Sequence, residues 1–187
     1  MVFTHDTEAA LLAAVALVNS AEPPDTLTTP AQLDAFYVAY SYSGGRTHDD
    51  AELAAVRAMR APLRALLTAD RDEAAAQTNR ILAERRAVPQ LVRHDGWDYH
   101  LHATDPAAPL ADRIAVETAM AMVDVIRADE LSRLAVCGDD TCDGLVLDLS
   151  RNRARRFCST ACANRSAVAA YRTRRREGSG SKGAREG

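Results

Sequence analysis

Cys137-Gly138-Asp139-Asp140-Thr141-Cys142 and, after a gap of fifteen residues, Cys158-Ser159-Thr160-Ala161-Cys162 hold all four cysteines of this 187-residue chain. Two close pairs joined by a short segment are what a tetrahedral zinc ion asks of a polypeptide. Each pair can come from one tight turn or helix start, and the segment between brings the halves together. Gly138-Asp139-Asp140-Thr141 has the turn chemistry of a knuckle. Gly144-Leu145-Val146-Leu147-Asp148-Leu149 reads as a short strand and Arg155-Arg156-Phe157 as its return strand. Ser159-Thr160 caps a helix running through Arg176. Knuckle, hairpin and helix in that order predict a treble-clef-like zinc finger over residues 133–176, with Cys137, Cys142, Cys158 and Cys162 holding one structural Zn2+. No histidine lies beyond His102, so the set is four thiolates, a closed shell without a catalytic position. Disulfides are the competing use of these cysteines. They belong to oxidising compartments, and Met1-Val2-Phe3-Thr4-His5-Asp6 lacks the basic start and apolar run of a secretory signal. A cytoplasmic protein is expected. Loss of one ligand should then unfold residues 137–176 and spare the rest.

Outward from the cysteines the charge is lopsided. Residues 133–187 carry eleven Arg and one Lys against six acids, a balance of +6, whereas residues 1–132 carry eleven Arg against twenty acids, a balance of −9. Nine arginines and no acid fall between Arg151 and Arg176. A zinc ion with four thiolates is formally −2, which one or two arginines can offset; the others exceed that need. Guanidinium forks suit phosphate. Arg151, Asn152, Arg153, Arg155, Arg156, Asn164, Arg165, Arg172, Arg174, Arg175 and Arg176 are therefore the candidate nucleic-acid contacts. An acidic protein surface, or a merely solvated face, would use the same residues.

The first 132 residues read as mainly α. Asp6-Thr7-Glu8 opens a helix with Leu11, Leu12, Val15 and Val18 at helical spacing, ended by Asn19-Ser20. Thr29-Pro30 opens a second, with Leu33, Phe36, Tyr37 and Tyr40 on one side. Residues 48–69 form a third segment that Pro62 should kink or split. The next, from Arg71 to Arg86, has few large apolar residues and is expected at the periphery. Leu91 to His94 and Trp97 to His102 flank an Asp95-Gly96 turn and predict a β-hairpin, with Trp97 and Tyr99 packed onto the helices. A long helix covers 110–128, with Ile114, Met120, Met122, Val123 and Ile126 inward. Glu177 to Gly187 has only Gly, Ser, Ala and charged residues and reads as a disordered tail. No apolar stretch approaches the ~20 residues of a spanning helix, so no membrane is expected.

The run from Cys137 through Cys142-Asp143-Gly144-Leu145-Val146-Leu147-Asp148-Leu149-Ser150-Arg151-Asn152-Arg153 to Arg156-Phe157-Cys158-Ser159-Thr160-Ala161-Cys162-Ala163-Asn164-Arg165 resembles the CGNR-type zinc finger. The preceding region resembles the ABATE domain that accompanies it in a stress-induced transcription regulator family. The match lies in Asp6-Thr7-Glu8 leading to Leu17-Val18-Asn19-Ser20, and in Met59-Arg60-Ala61-Pro62-Leu63-Arg64-Ala65-Leu66. The resemblance implies zinc binding, DNA binding and a bacterial regulator of transcription. Two departures stand out: the family's Cys-Gly-Asn-Arg is here Cys162-Ala163-Asn164-Arg165, and Phe157 stands where the family usually has Trp.

Two other functions compete with a DNA-binding regulator. A treble-clef-like finger also serves as an adaptor for protein or RNA. The N-terminal domain could dimerise, or hold a small-molecule ligand or a metal at His100 and His102, which share a strand face, with His94 across the turn. No Gly-rich phosphate loop, nucleophile elbow or HExxH is present, and no enzyme is expected.

Overall fold

The computed structural model describes residues 2–93 and 98–180, the last five for their backbone. Seven helices and two small antiparallel hairpins follow in the order α1 His5–Asn19, α2 Pro30–Ala39, α3 Asp50–Ala58, α4 Arg60–Leu67, α5 Arg71–Glu84, β1 Gln90–Val92, β2 His100–His102, α6 Leu110–Arg127, β3 Leu134–Val136, β4 Leu145–Leu147 and α7 Thr160–Gly180. The mainly helical fold with small hairpins and a cysteine cluster is the expected one. None of these helices is long and apolar enough to cross a membrane.

Local chemistry sets most boundaries. Thr29 and Gln32 close a reciprocal capping box at the start of α2, and Asp49 and Asp70 accept from the backbone N–H groups of Glu52 and Glu73 to start α3 and α5. The third helical segment is split rather than kinked, and the break falls at Met59, before Pro62. The proline ring would collide with the carbonyl four residues back, at Ala58, so the chain ends α3 there and uses Pro62 inside the first turn of α4.

α1 and α6 are the centre of the helical body. Leu11, Ala14 and Leu17 of α1, Ile114, Ala115, Ala119 and Met122 of α6, and Val56, Leu63 and Leu66 of α3 and α4 are all fully buried in one core. α5 is not peripheral, as its composition suggests, but lies along α6 through Ala74, Gln77, Thr78 and Ile81. Small side chains let two helices approach closely, and that replaces the missing large apolar stripe.

The first hairpin pairs Leu91 with Leu101 and Val92 with His100; its expected turn, with His94 and Trp97, lies outside the described residues. Strand alternation turns His100 and His102 towards the body and leaves Leu101 exposed. Tyr99, just before β2, is 64% exposed and does not pack on the helices as expected.

The second hairpin differs from expectation. β4 pairs with β3, Leu134 opposite Leu147 and Val136 opposite Leu145, so the knuckle of Cys137 and Cys142 is the loop of the β3–β4 hairpin. Arg155-Arg156-Phe157 forms no strand. Its backbone is drawn elsewhere, Arg155 N–H to the Asp148 carboxylate at 2.7 Å and the Arg156 carbonyl to Gly138 N–H at 2.8 Å. The free edge of β4 at Leu145 is already taken by Asn19 of α1. α7 continues to Gly180, past the boundary read at Arg176, and residues 181–187 lie outside the described residues.

Candidate metal centre and basic surface

The four Sγ atoms of Cys137, Cys142, Cys158 and Cys162 lie within 4.8 Å of one another. Cys142 and Cys158 are 3.6 Å apart and Cys158 and Cys162 3.5 Å apart. Zinc–sulfur bonds of about 2.3 Å set an S···S edge of roughly 3.8 Å in a tetrahedron, so the set is sized for one zinc ion. Cys137 leaves the end of β3, Cys142 closes the knuckle, Cys158 precedes α7 and Cys162 sits in its first turn. Val146 and Phe157 pack against them as an apolar collar. These residues bind one structural Zn2+, which here closes a fold and leaves no open coordination position.

Donors surround the sulfurs. Gly144 N–H points at Cys142 Sγ at 3.4 Å, Cys158 N–H at Cys137 Sγ at 3.4 Å, and the Ser159 hydroxyl at Cys162 Sγ at 3.2 Å. The Ser159 hydrogen bond holds the Cys162 thiol down at about 7, whereas burial pushes the Cys142 and Cys158 thiols upward. A divalent ion that displaces their protons resolves that imbalance. Gly144 has no room for a side chain: a Cβ there would come within 3.3 Å of Cys142 Sγ and 3.2 Å of Cys158 Sγ.

Several structural residues were invisible in the sequence. Asn19, the last residue of α1, donates from Nδ2 to the Leu145 carbonyl at 2.8 Å and accepts from Leu145 N–H at 2.6 Å. Leu145 and Leu147 belong to the core of the helical body, while Val146, pointing the other way, covers the cysteines. β4 is thus a wall of both the finger and the helical body. Arg133, buried, donates to the carbonyls of Asp148 and Ser150 and to Glu130, and so fixes the start of the arginine loop.

The arginines divide into two groups. Arg165 is held on Asp139 at 2.7 Å and donates to Cys162 Sγ at 3.0 Å, the expected offset to the anionic metal site. Arg153 pairs with Glu130 at 2.8 Å, and Arg155 donates to the carbonyls of Phe157 and Cys158. Arg151, Asn152, Arg156, Asn164, Arg172, Arg174 and Arg175 are exposed, Arg156 lying over the Phe157 ring. Of Arg176 only the backbone is described. Every residue from 167 to 175 in α7 is exposed, Val168 and Tyr171 included, so the helix leaves the body soon after the metal. Ala163 is regular helix whose N–H donates to the Ser159 carbonyl at 3.2 Å, which is why alanine fits the position of the family glycine.

His100 and His102 come together, their Nε2 atoms 3.0 Å apart, but at a cavity of the helical body, and the cysteines are the metal-compatible cluster among the described residues.

Residues 133–175 match the family model of the CGNR zinc finger, and residues 12–129 match that of ABATE, described as "Putative stress-induced transcription regulator". Neither model describes an enzyme. No curated protein matches the chain significantly.

Proposed function

The chain belongs to the ABATE family and ends in a CGNR zinc finger, and from that premise we propose that it is a zinc-dependent, DNA-binding regulator of transcription. The observation that carries this reading is α7, a 21-residue helix that starts at the metal and is exposed on every side over residues 167–175, with Arg172, Arg174 and Arg175. A helix that buries no face gains little from packing and is marginal in water by itself. A polyanion that neutralises its arginines supplies the missing stabilisation.

Arg165, Val168, Arg172 and Arg175 recur at helical spacing and share one stripe that begins at the zinc site. Arg151 and Arg156 extend the basic surface from the loop before Cys158. Arg153 and Arg165, engaged with Glu130 and Asp139, hold the surface in place. The exposed Arg151, Arg156, Arg172, Arg174 and Arg175 are taken as the five phosphate contacts. Such contacts fix affinity and register; base-reading groups would come from neighbours such as Asn164. The helical body is the regulatory or dimerising part.

Five phosphate contacts give a slope of about −4.5 for log K against log salt on random duplex DNA. Arg172→Ala should make that slope shallower by about one. A flat salt response would overturn the reading. Preference for single-stranded RNA, or capture of a specific protein with no affinity for duplex, would make the finger an adaptor instead.

A further inference from the structure

A cavity of about 460 Å³ opens between the N-terminal half of α1, the C-terminal part of α6, the turn at residues 40–43 and β2. Its α1 wall, Asp6 to Ala13, lies roughly 9–20 Å along the helix from Asn19 at 1.5 Å per residue. Its volume falls among the ~300–1,000 Å³ of small-molecule sites. Ala10, Ala13, Met120 and Val123 give it apolar wall, and three carboxylates, Asp6, Glu117 and Asp124, share the lining with one arginine, Arg127, and with His100 and His102.

Two polar groups there lack what burial demands. The Tyr42 hydroxyl is buried without a hydrogen-bond partner among the described residues. Glu117 is enclosed by protein with a quarter of its side chain open, and burial raises its carboxyl to about 7 despite the nearby Arg113. His102 Nδ1 stands 4.0 Å from it, too far for a hydrogen bond. Asp124 and Asp6 already accept from the Thr7 hydroxyl and from the N–H groups of Thr7 and Leu101, yet each retains lone pairs. The acids do not converge at metal-ligand distances, because the cysteines form the one such cluster among the described residues. They instead surround a volume that holds an organic body.

We propose that this cavity binds a small organic cation, a protonated amine carried on an apolar or aromatic body, with the ammonium received by Glu117 and Asp124 and the body laid against Met120 and Tyr40. An ammonium brings three donors and no acceptor, which suits acceptor-only carboxylates, and its charge removes the cost of an enclosed Glu117 anion. Tyr40 and Tyr42 line the same cavity and add aromatic wall to it. A carboxylate ligand would meet three acids, and a neutral one would leave Glu117 uncompensated.

The test uses the full zinc-loaded chain and three matched probes, 3-phenylpropylamine, 3-phenylpropanol and 3-phenylpropionate, by calorimetric titration and thermal shift. The amine should raise Tm and bind at least tenfold more tightly than the alcohol, and the carboxylate should not bind. Glu117→Gln and Asp124→Asn should each weaken the amine at least tenfold, with zinc content unchanged. Equal or tighter binding of the alcohol or carboxylate, no response to the amine at millimolar concentration, or an amine indifferent to both substitutions would overturn the proposal. None of these outcomes depends on whether the finger binds DNA.

Discussion

The two ends of α1 treat polar groups in opposite ways. At Asn19 both halves of the side-chain amide are used on Leu145, every sulfur of the cysteine set has polar or metal-ligand neighbours, and Arg165 answers the charge. At the other end, Tyr42 keeps a buried hydroxyl without a partner among the described residues, and Glu117 an enclosed carboxyl whose ionisation burial opposes. One end is complete once zinc is bound; the other is shaped to be completed by a solute. α1 and α6 line the cavity, and the finger is attached to the far end of α1 by Asn19, while Arg133 ties it to Glu130, three residues past the end of α6. Both ends are built on the packed pair α1 and α6.

Removing the metal is the severest way to break this comparison. Structural zinc contributes roughly 10–16 kcal/mol of apparent binding energy at neutral pH. Chelation, or Cys158→Ser, should unfold residues 137–176, as the sequence alone suggests. The shared β4 adds a consequence the sequence does not suggest. Leu145 and Leu147 leave the core with it, and the helical body should lose several degrees of Tm, followed by far-ultraviolet circular dichroism during a thermal scan. An unchanged body transition would mean that the finger is independent after all.

That difference marks where sequence reading reaches its limit. The cysteine ligands were legible because metal geometry demands short local spacings, and α2 because Thr29-Pro30 and Gln32 carry its start within three residues. The partner of β4 was not. Leu134-Ala135-Val136 is too short to show a period, while Arg155-Arg156-Phe157 has strand-like length and an aromatic residue. What decides between them is a hydrogen bond from a residue 126 positions away. The cavity was equally hidden, since Glu117 on a long helix looks like one more solvated acid until α1 and β2 close over it. Only the histidine pair hinted at it, through the two-residue spacing of His100 and His102.

A milder perturbation acts on the cavity end alone. Glu117 titrates near 7 in the folded chain against 4.5 when unfolded. Below pH 4.5 both states hold the proton. As pH rises towards 7 only the unfolded chain releases it, so the native state loses up to about 3 kcal/mol, fully lost above pH 7. Glutamine is neutral at every pH. Glu117→Gln should raise Tm by up to roughly 6–12 °C at pH 8 and leave it unchanged at pH 4. A lower Tm at pH 8 would show that the charge is already compensated, and the contrast between the two ends would disappear.

The smallest change falls on the joint itself. Asn19→Ala leaves the N–H and carbonyl of Leu145 without partners on a buried strand edge, a loss of about 2 kcal/mol. The size of that loss says less than its dependence on metal. With zinc bound, β4 stays in place and the two orphaned groups remain covered, so the substitution lowers Tm. With zinc removed, β4 has already left α1, and Asn19→Ala should cost almost nothing beyond the apo protein. A double cycle of Asn19→Ala and chelation should therefore show a coupling energy near the whole 2 kcal/mol. Equal penalties with and without metal would place the effect inside α1, and would leave the two ends of the molecule energetically separate.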